Sequence, residues 1–224
     1  MFGGVPKVVE VIWHGHACFE LRENGLTIVH DPFGSVPGIP DPKAEADIIL
    51  CSHSHWDHNN AEAVKKEDSE ILQEFAGTKT LKGLEIKGIG TFHDEKRKGA
   101  RGKNSVYVYQ LEGVTFCHLG DLGHDLNDEE ISAIGQVDVL FIPVGGFFTI
   151  GPDVANSVVA KLKPKINVPM HYRAPMMGGM FSSLKPIEAF TKGKENVQQI
   201  DGPSIQITKD KLPEITTHIL LKFW

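Results

Sequence analysis

Five times in this chain a short apolar run stops abruptly at histidine or aspartate. Leu26-Thr-Ile-Val29 leads into His30-Asp31, and Ala46-Asp-Ile-Ile-Leu50-Cys51 leads into Ser52-His53. Ile86–Phe92 ends at His93, Val114–Cys117 at His118 and Ile166–Met170 at His171. Short apolar, β-branched runs bounded by polar residues read as buried strands. A layered α/β protein gathers the same ends of several strands along one edge, so five such ends describe one site. A lone strand-end histidine would be an ordinary solvated residue.

The densest of these ends is His53-Ser-His55-Trp-Asp57-His58, where four ligand-type side chains fall within six residues. Imidazole is the commonest metal ligand, and carboxylates interleaved with imidazoles suit a borderline divalent ion. The cluster predicts a metal site on a loop held still by the strand before it.

The remaining pattern predicts strands at Val8–Trp13, Ala17–Leu21, Leu26–His30, Ala46–Cys51, Leu84–Phe92, Ser105–Leu111, Val114–Leu119, Val137–Val144, Lys165–Met170 and Ile215–Phe223. Asn24-Gly25 marks a hairpin. Helices are expected at Ala61–Lys66, from Asn127 to Ile134, at Pro152–Leu162 and at Pro186–Lys192. No repeat or low-complexity linker divides the sequence, which predicts one α/β domain over residues 1–224. The net charge of −6 gives no nucleic-acid signal, although bound cations would reverse the local potential at a site. The start, Met1 to Lys7, has no basic and apolar leader pattern, and no segment is long and apolar enough to span a membrane. Cys18, Cys51 and Cys117 lack metal-type spacing and read as reduced thiols, so a cytoplasmic location is expected.

His53-Ser-His55-Trp-Asp57-His58, then His93, then Gly120-Asp121, then His171 resembles the ordered ligand series of the metallo-β-lactamase superfamily. The resemblance covers nearly the whole chain. Trp13-His-Gly-His16-Ala-Cys-Phe19, Asp31-Pro32-Phe33, His118-Leu-Gly-Asp121-Leu-Gly-His124 and Pro143-Val-Gly-Gly146 are similar to its compact bacterial and archaeal branch. That branch includes metal-dependent hydrolases and the L-ascorbate-6-phosphate lactonases. The resemblance implies a four-layer αββα sandwich with the metal site at one edge of its two sheets. It implies that His53, His55 and His93 hold one ion, that Asp57, His58 and His171 hold a second, and that Asp121 bridges them. Asp31 would orient the loop bearing the main motif. His16 and His124 are candidates for contacting substrate or closing the metal shell, while His14 and His118 have weaker claims. On a strand, residues three apart face opposite ways, so His118 and Asp121 share the site only if the strand has already turned.

Two divalent ions about 3.5–4 Å apart can share a water and lower its pKa toward neutrality, giving a hydroxide that attacks carbonyl or phosphorus. The expected activity is metal-dependent hydrolysis of a small anionic, phosphorylated substrate, as a phosphodiesterase or lactonase, with Asp57 and Asp121 nearest the chemistry. Zinc is the default ion, and manganese or nickel also suits so imidazole-rich a shell. Lys96-Arg97-Lys98-Gly-Ala-Arg101-Gly-Lys103 is a solvated loop or a phosphate-recognition element, with Arg101 or Lys103 as its contact and Asn104 as an oxyanion donor. Met170–Met180 holds four of the five methionines and reads as core, lid or subunit contact. The alternatives are a non-catalytic metal-binding or sensing protein and a thiolester hydrolase. Self-association is expected only by analogy with the lactonases.

Overall fold

The computed structural model describes residues 7–223. Met1–Pro6, which make up most of the start that lacks a leader pattern, lie outside the described residues. The first sheet has six strands: β1 (Val9–Gly15), β2 (Cys18–Glu23), β3 (Leu26–His30), β4 (Ala46–Cys51), β5 (Lys65–Gln73) and β13 (Ser204–Ile207). Their order is β13-β1-β2-β3-β4-β5. The second has eight: β6 (Gly77–Leu81), β7 (Leu84–Phe92), β8 (Lys103–Leu111), β9 (Val114–His118), β10 (Val139–Pro143), β11 (Ile166–Met170), β12 (Val197–Gln199) and β14 (Thr217–Leu220). Their order is β12-β14-β11-β10-β9-β8-β7-β6. Each sheet is mixed, with β3, β4 and β5 parallel in the first and β9, β10, β11, β14 and β12 parallel in the second. Parallel neighbours point their C-terminal ends the same way, which sets the histidine-bearing ends side by side.

The sheets pack face to face over an apolar core. Phe19, Leu21, Ile28 and Leu50 of the first belong to one buried cluster with Tyr107, Phe116 and Phe141 of the second. Phe19 and Phe141 meet with ring centroids 4.3 Å apart. Helices α1 (Asp128–Ile134) and α2 (Pro152–Leu162) bury apolar faces in this same cluster, as does Phe190 of the short α3 (Glu188–Thr191). Asn127 caps α1 reciprocally with Glu130, and Pro152 opens α2 where its missing N–H costs nothing. The outer face of the six-stranded sheet, Val29, Ile49 and Cys51, is covered by Phe33–Ile39 and by Ala174–Leu184 in loops and 3₁₀ turns. These elements form an α/β sandwich of two mixed sheets, the arrangement the resemblance implies.

Ala61–Lys66 is not a helix. A single 3₁₀ turn covers Ala61–Ala63, and the chain then enters edge strand β5. Lys65-Lys-Glu-Asp-Ser-Glu70 carries the charges that suit an exposed sheet edge, and these hide its strand character. Among the described residues no helix is long and apolar enough to cross a membrane.

Candidate metal centre

Every part of the site sits where a strand stops. His53, His55, Asp57 and His58 follow β4, His93 follows β7, Asp121 lies three residues past β9, and His171 follows β11. His16 occupies the turn between β1 and β2. Asp121 is the hub. Its Oδ2 lies 3.3 Å from Nε2 of each of His58, His93 and His171, and 3.9 Å from His53 Nε2. His53 Nε2 is 2.9 Å from His55 Nδ1, and His16 Nε2 is 3.0 Å from His58 Nε2. All of these side chains are buried except His55, which is exposed, and Asp57, which is partly buried.

The donor chemistry fits divalent cations. His53, His55 and His93 each bring a nitrogen within 4.8 Å of the others, as do His16, His58 and His171, while His53, His58 and Asp121 form a third such group. Asp121 Oδ1 is buried with no hydrogen-bond partner, a state that a bound cation would relieve. Burial above all pushes His53 down to about 3 and His93 to about 4, so both are neutral at ordinary pH and keep a lone pair that a cation could take. His58 runs the other way. Burial opposes its protonation, but Asp121, Asp57 and Asp31 outweigh burial and raise it well above the usual imidazole value. Burial likewise opposes ionisation of Asp57 and Asp121. For Asp57, His58 and His16 prevail, and for Asp121, His171 and His58, holding both carboxyls well below the usual range.

Behind the cluster, Asp31 fixes two of its imidazoles. It is buried at a positive φ of 42°, directly after β3. Its Oδ1 accepts from Ser52 N (2.6 Å), and its Oδ2 accepts from Ser52 Oγ (2.7 Å) and His58 Nδ1 (3.0 Å). This bond holds one His58 proton on Nδ1, so a cation that displaced the proton on Nε2 would find that nitrogen's lone pair directed into the cluster beside Asp121. Ser52 Oγ also lies 2.9 Å from His53 Nδ1, placing that proton on the same side. The sequence reading passed over Ser52, although its place directly before the first histidine of the motif was a usable signal.

Asn104 is not free to donate to an oxyanion. Its Nδ2 donates to Thr91 Oγ1 (2.8 Å) and Leu119 O (2.9 Å), while its Oδ1 accepts from Asp121 N (2.9 Å). It holds the hub's backbone in place. Gly120, at φ +56°, packs so closely against Asn104 and Ser52 that a Cβ would lie 2.3 Å from Asn104 Oδ1. That turn separates His118 from Asp121. His118 points between the sheets, where its ring stacks on His30 at 4.4 Å; its Nε2 donates to Ala17 O (2.9 Å) and its Nδ1 accepts from Gly120 N (3.1 Å). His124 also has both ring nitrogens engaged, accepting from Phe92 N and donating to Asp125 O. It braces the loop after β7 instead of offering a nitrogen to substrate. His14 pairs with Glu20 (2.8 Å) outside the cluster.

A cleft of about 200 Å³ opens onto the centre, with His55, Asp57, Asp121 and His171 at its base and Arg101, Trp56, Phe148 and Met180 around it. Beside it is a chamber of about 710 Å³ that shares His93, Arg101 and Phe148 with the cleft and also takes in His124 and Phe147. The basic run divides between structure and site. Arg97 is committed to Glu130 and to Asp125 O. Arg101 lies 5.0 Å over the Phe148 ring, and among the described residues no carboxylate pairs with it. Lys103 begins β8 and borders neither space. The methionines divide too, with Met170 and Met177 in core clusters and Met180 exposed at the cleft.

The beta-lactamase superfamily domain matches residues 10–171, a span that contains every side chain of the cluster. A relative described as a "UPF0173 metal-dependent hydrolase" from Thermoplasma acidophilum is 32% identical over 188 residues, covering 73% of this chain and 83% of the relative. One of the same description from Lysinibacillus sphaericus is 32% identical over 193 residues, covering 73% and 85%. A crystal structure of a metallo-β-lactamase superfamily protein from Thermotoga maritima superposes with a TM-score of 0.78 at 36% identity, covering 95% of this chain and 98% of that one. By its domain match, these relatives and its fold, the chain belongs to the metallo-β-lactamase superfamily.

Proposed function

We propose that this protein is a metal-dependent hydrolase that holds two divalent ions and acts on a small anionic substrate, a phosphodiester or a phosphorylated lactone. The observation that carries the proposal is the convergence of four imidazole nitrogens on one buried oxygen of Asp121, at the base of an open cleft. His53, His55 and His93 would hold one ion and His58 and His171 the other, with Asp121 shared between them. Ions so placed supply Lewis acidity and a water acidified toward neutral pH, with zinc the default and manganese or nickel the alternatives. The description of the Thermoplasma and Lysinibacillus relatives as metal-dependent hydrolases supports the reaction class.

The chain's own residues supply the rest. Burial keeps His53 and His93 neutral, and the Asp31–Ser52 pair directs His53 and His58 inward, so the ligands are set before substrate arrives. Arg101 brings an uncommitted cation to the cleft wall, and its planar fork suits a phosphate or carboxylate in two-point contact. Phe148 gives the guanidinium an aromatic face to rest on, 5.0 Å away. Exposed Trp56 and Met180 offer apolar surface for the uncharged part of the substrate, and the adjoining chamber has room for a bulky leaving group.

The test is a screen of the metal-reconstituted protein against model phosphodiesters, lactones and thiolesters. Turnover of at least one anionic ester is expected, with loss of all measurable activity in His55→Ala and Asp121→Ala. Preferred turnover of thiolesters would redirect the substrate reading. A metal-loaded protein inert to every class would favour a binding or sensing role.

A further inference from the structure

Among the described residues six large apolar side chains are exposed, and three of them border the two cavities at the metal centre. Trp56 and Met180 border the cleft, and Phe147 borders the chamber. A lone exposed apolar side chain is ordinary on a protein surface. Phe147 differs in its backbone. It is 62% exposed at a φ of +65°, a left-handed conformation that a bulky side chain rarely adopts, and here the ring is not buried by it.

The loop that holds Phe147 is pinned to the metal centre on both sides. Gly145 N donates to His171 O at 3.1 Å, so closely that a Cβ on Gly145 would lie 2.2 Å from that oxygen. Ile150 N donates to Leu122 O at 2.8 Å, next to Asp121, and Gly146 N closes the loop on Ile150 O at 3.1 Å. Thr149 and Ile150 are buried, which leaves the Phe147 ring as the part that projects. Left-handed backbone kept at an exposed aromatic by such anchoring is of the kind that aims a side chain at a ligand.

The two cavities differ in size and in charge. The cleft, at about 200 Å³, is smaller than the roughly 300–1,000 Å³ of ordinary ligand pockets, whereas the chamber, at about 710 Å³, lies within that range. The cleft thus has room for a reacting group and the chamber for the remainder. Arg101 and Phe148 are common to both, and the Phe147 ring stands edge to face with Phe148, centroids 4.4 Å apart and planes at 84°. Past Arg101 the charge turns negative. Arg97 is paired with Glu130 and Asp125 with Lys161, while Asp94 and Glu95 line the chamber with no ion-pair partner among the described residues.

We propose that Phe147 is the platform of a distal subsite for an uncharged aromatic ring, so that the substrate is an anionic ester carrying such a ring beyond its reacting group. An anion seated beside Arg101 at the metal centre would place the rest of the molecule in the chamber. There the acidic wall disfavours a second negative charge, and Phe147 offers a ring to pack against. The proposal rests on the reading of the cleft as the seat of an anionic ester and adds what that ester carries.

The experiment is calorimetric titration of the metal-reconstituted protein with alkylphosphonates, which bind without turnover. 3-Phenylpropylphosphonate should bind at least about tenfold more tightly than propylphosphonate, and about 2–10-fold more tightly than 3-cyclohexylpropylphosphonate. Phe147→Ala should remove at least about fivefold of the phenyl ligand's advantage over propylphosphonate, and Phe147→Tyr should retain it. A carboxylate at the para position of the ligand's ring should weaken binding. Because truncation could disturb the loop, nuclear Overhauser contacts between the ligand's ring protons and Phe147 in wild type provide an independent reading. Equal affinity for the phenyl and propyl ligands, binding of neither, or an advantage that survives Phe147→Ala would overturn the subsite. So would a cyclohexyl or carboxylated ligand that binds as tightly as the phenyl one. A wild-type oligomer that separates in Phe147→Asp, with the advantage intact in the separated chain, would assign the ring to an interface instead. Failure of the hydrolase reading is a different result. Protein that turns over no ester but shows the Phe147-dependent advantage keeps the subsite, and protein that turns over esters without that advantage loses the subsite alone.

Discussion

Replacing Asp31 by asparagine changes few atoms but reverses the direction of two hydrogen bonds. The carboxylate accepts three bonds at 2.6–3.0 Å in a fully buried position. Burial opposes its ionisation, but the contribution of His58 prevails and holds it down at about 2. The ordinary value is 3.8, so ionised Asp31 contributes roughly 2 kcal/mol of folding stability at neutral pH. For a depressed carboxyl the sign is definite: the contribution is complete above about pH 4 and disappears as pH falls through about 2. In Asp31→Asn the new amide faces Ser52 Oγ and His58 Nδ1, both of which donate to Asp31 in the native chain. His58 would then have to accept at Nδ1 and carry its proton on Nε2, the atom that faces Asp121. We expect metal-free Asp31→Asn to be less stable than wild type by roughly 2 kcal/mol in urea unfolding at pH 7, with the gap closing by about pH 2. We expect its metal affinity, measured by chelator competition, to fall about 10–100-fold. An Asp31→Asn protein that binds metal as wild type does would refute the claim that Asp31 sets the His58 tautomer.

Arg101→Ala should raise KM for an anionic model ester about tenfold or more with little change in kcat, and Arg101→Lys should recover part of the loss; equal KM values in steady-state kinetics would remove Arg101 from recognition. Asn104→Leu leaves the Asp121 N–H and the Leu119 carbonyl without their partner, and thermal or urea unfolding should show a cost of about 2–4 kcal/mol, whereas an Asn104 that merely filled space would cost under about 1. Burial pushes the thiols of Cys18, Cys51 and Cys117 well above their usual value, so a disulfide reagent at pH 8 should titrate none of them in the native protein and all three in denaturant. Burial, then the neighbouring His118, holds His30 well below the ordinary imidazole value; because the unfolded chain takes up that proton first, stability should decline as pH falls below about 6.5, and His30→Phe should flatten that decline.

The part of the centre legible in the sequence was the part written at short range. His53 to His58 lie so close together that their chemistry shows without a fold; His93 and His171 each end an apolar run, and the resemblance to the family's ligand series added Asp121 to them. What escaped depended on pairings between distant segments. The basic run shows five equivalent charges until the fold joins Arg97 to Glu130 and leaves Arg101 at the cleft. Asn104 looked available because its three partners come from two other stretches of chain. His118 and Asp121 looked incompatible on one strand, and the Gly120 turn explains why they serve different faces. Strand β5 was hidden by its charges, and β12 and β13 are too short to show a period. His16 was visible as a histidine, but its aim depends on a hydrogen bond to His171 across the two sheets.

The most direct test of the account is anomalous scattering from crystals of the zinc-reconstituted protein. The account predicts two peaks per chain about 3.5–4 Å apart, one among His53, His55 and His93 and the other beside His58 and His171, with Asp121 between them. A reconstituted protein without a peak at this cluster, or with its zinc bound elsewhere on the chain, would contradict it.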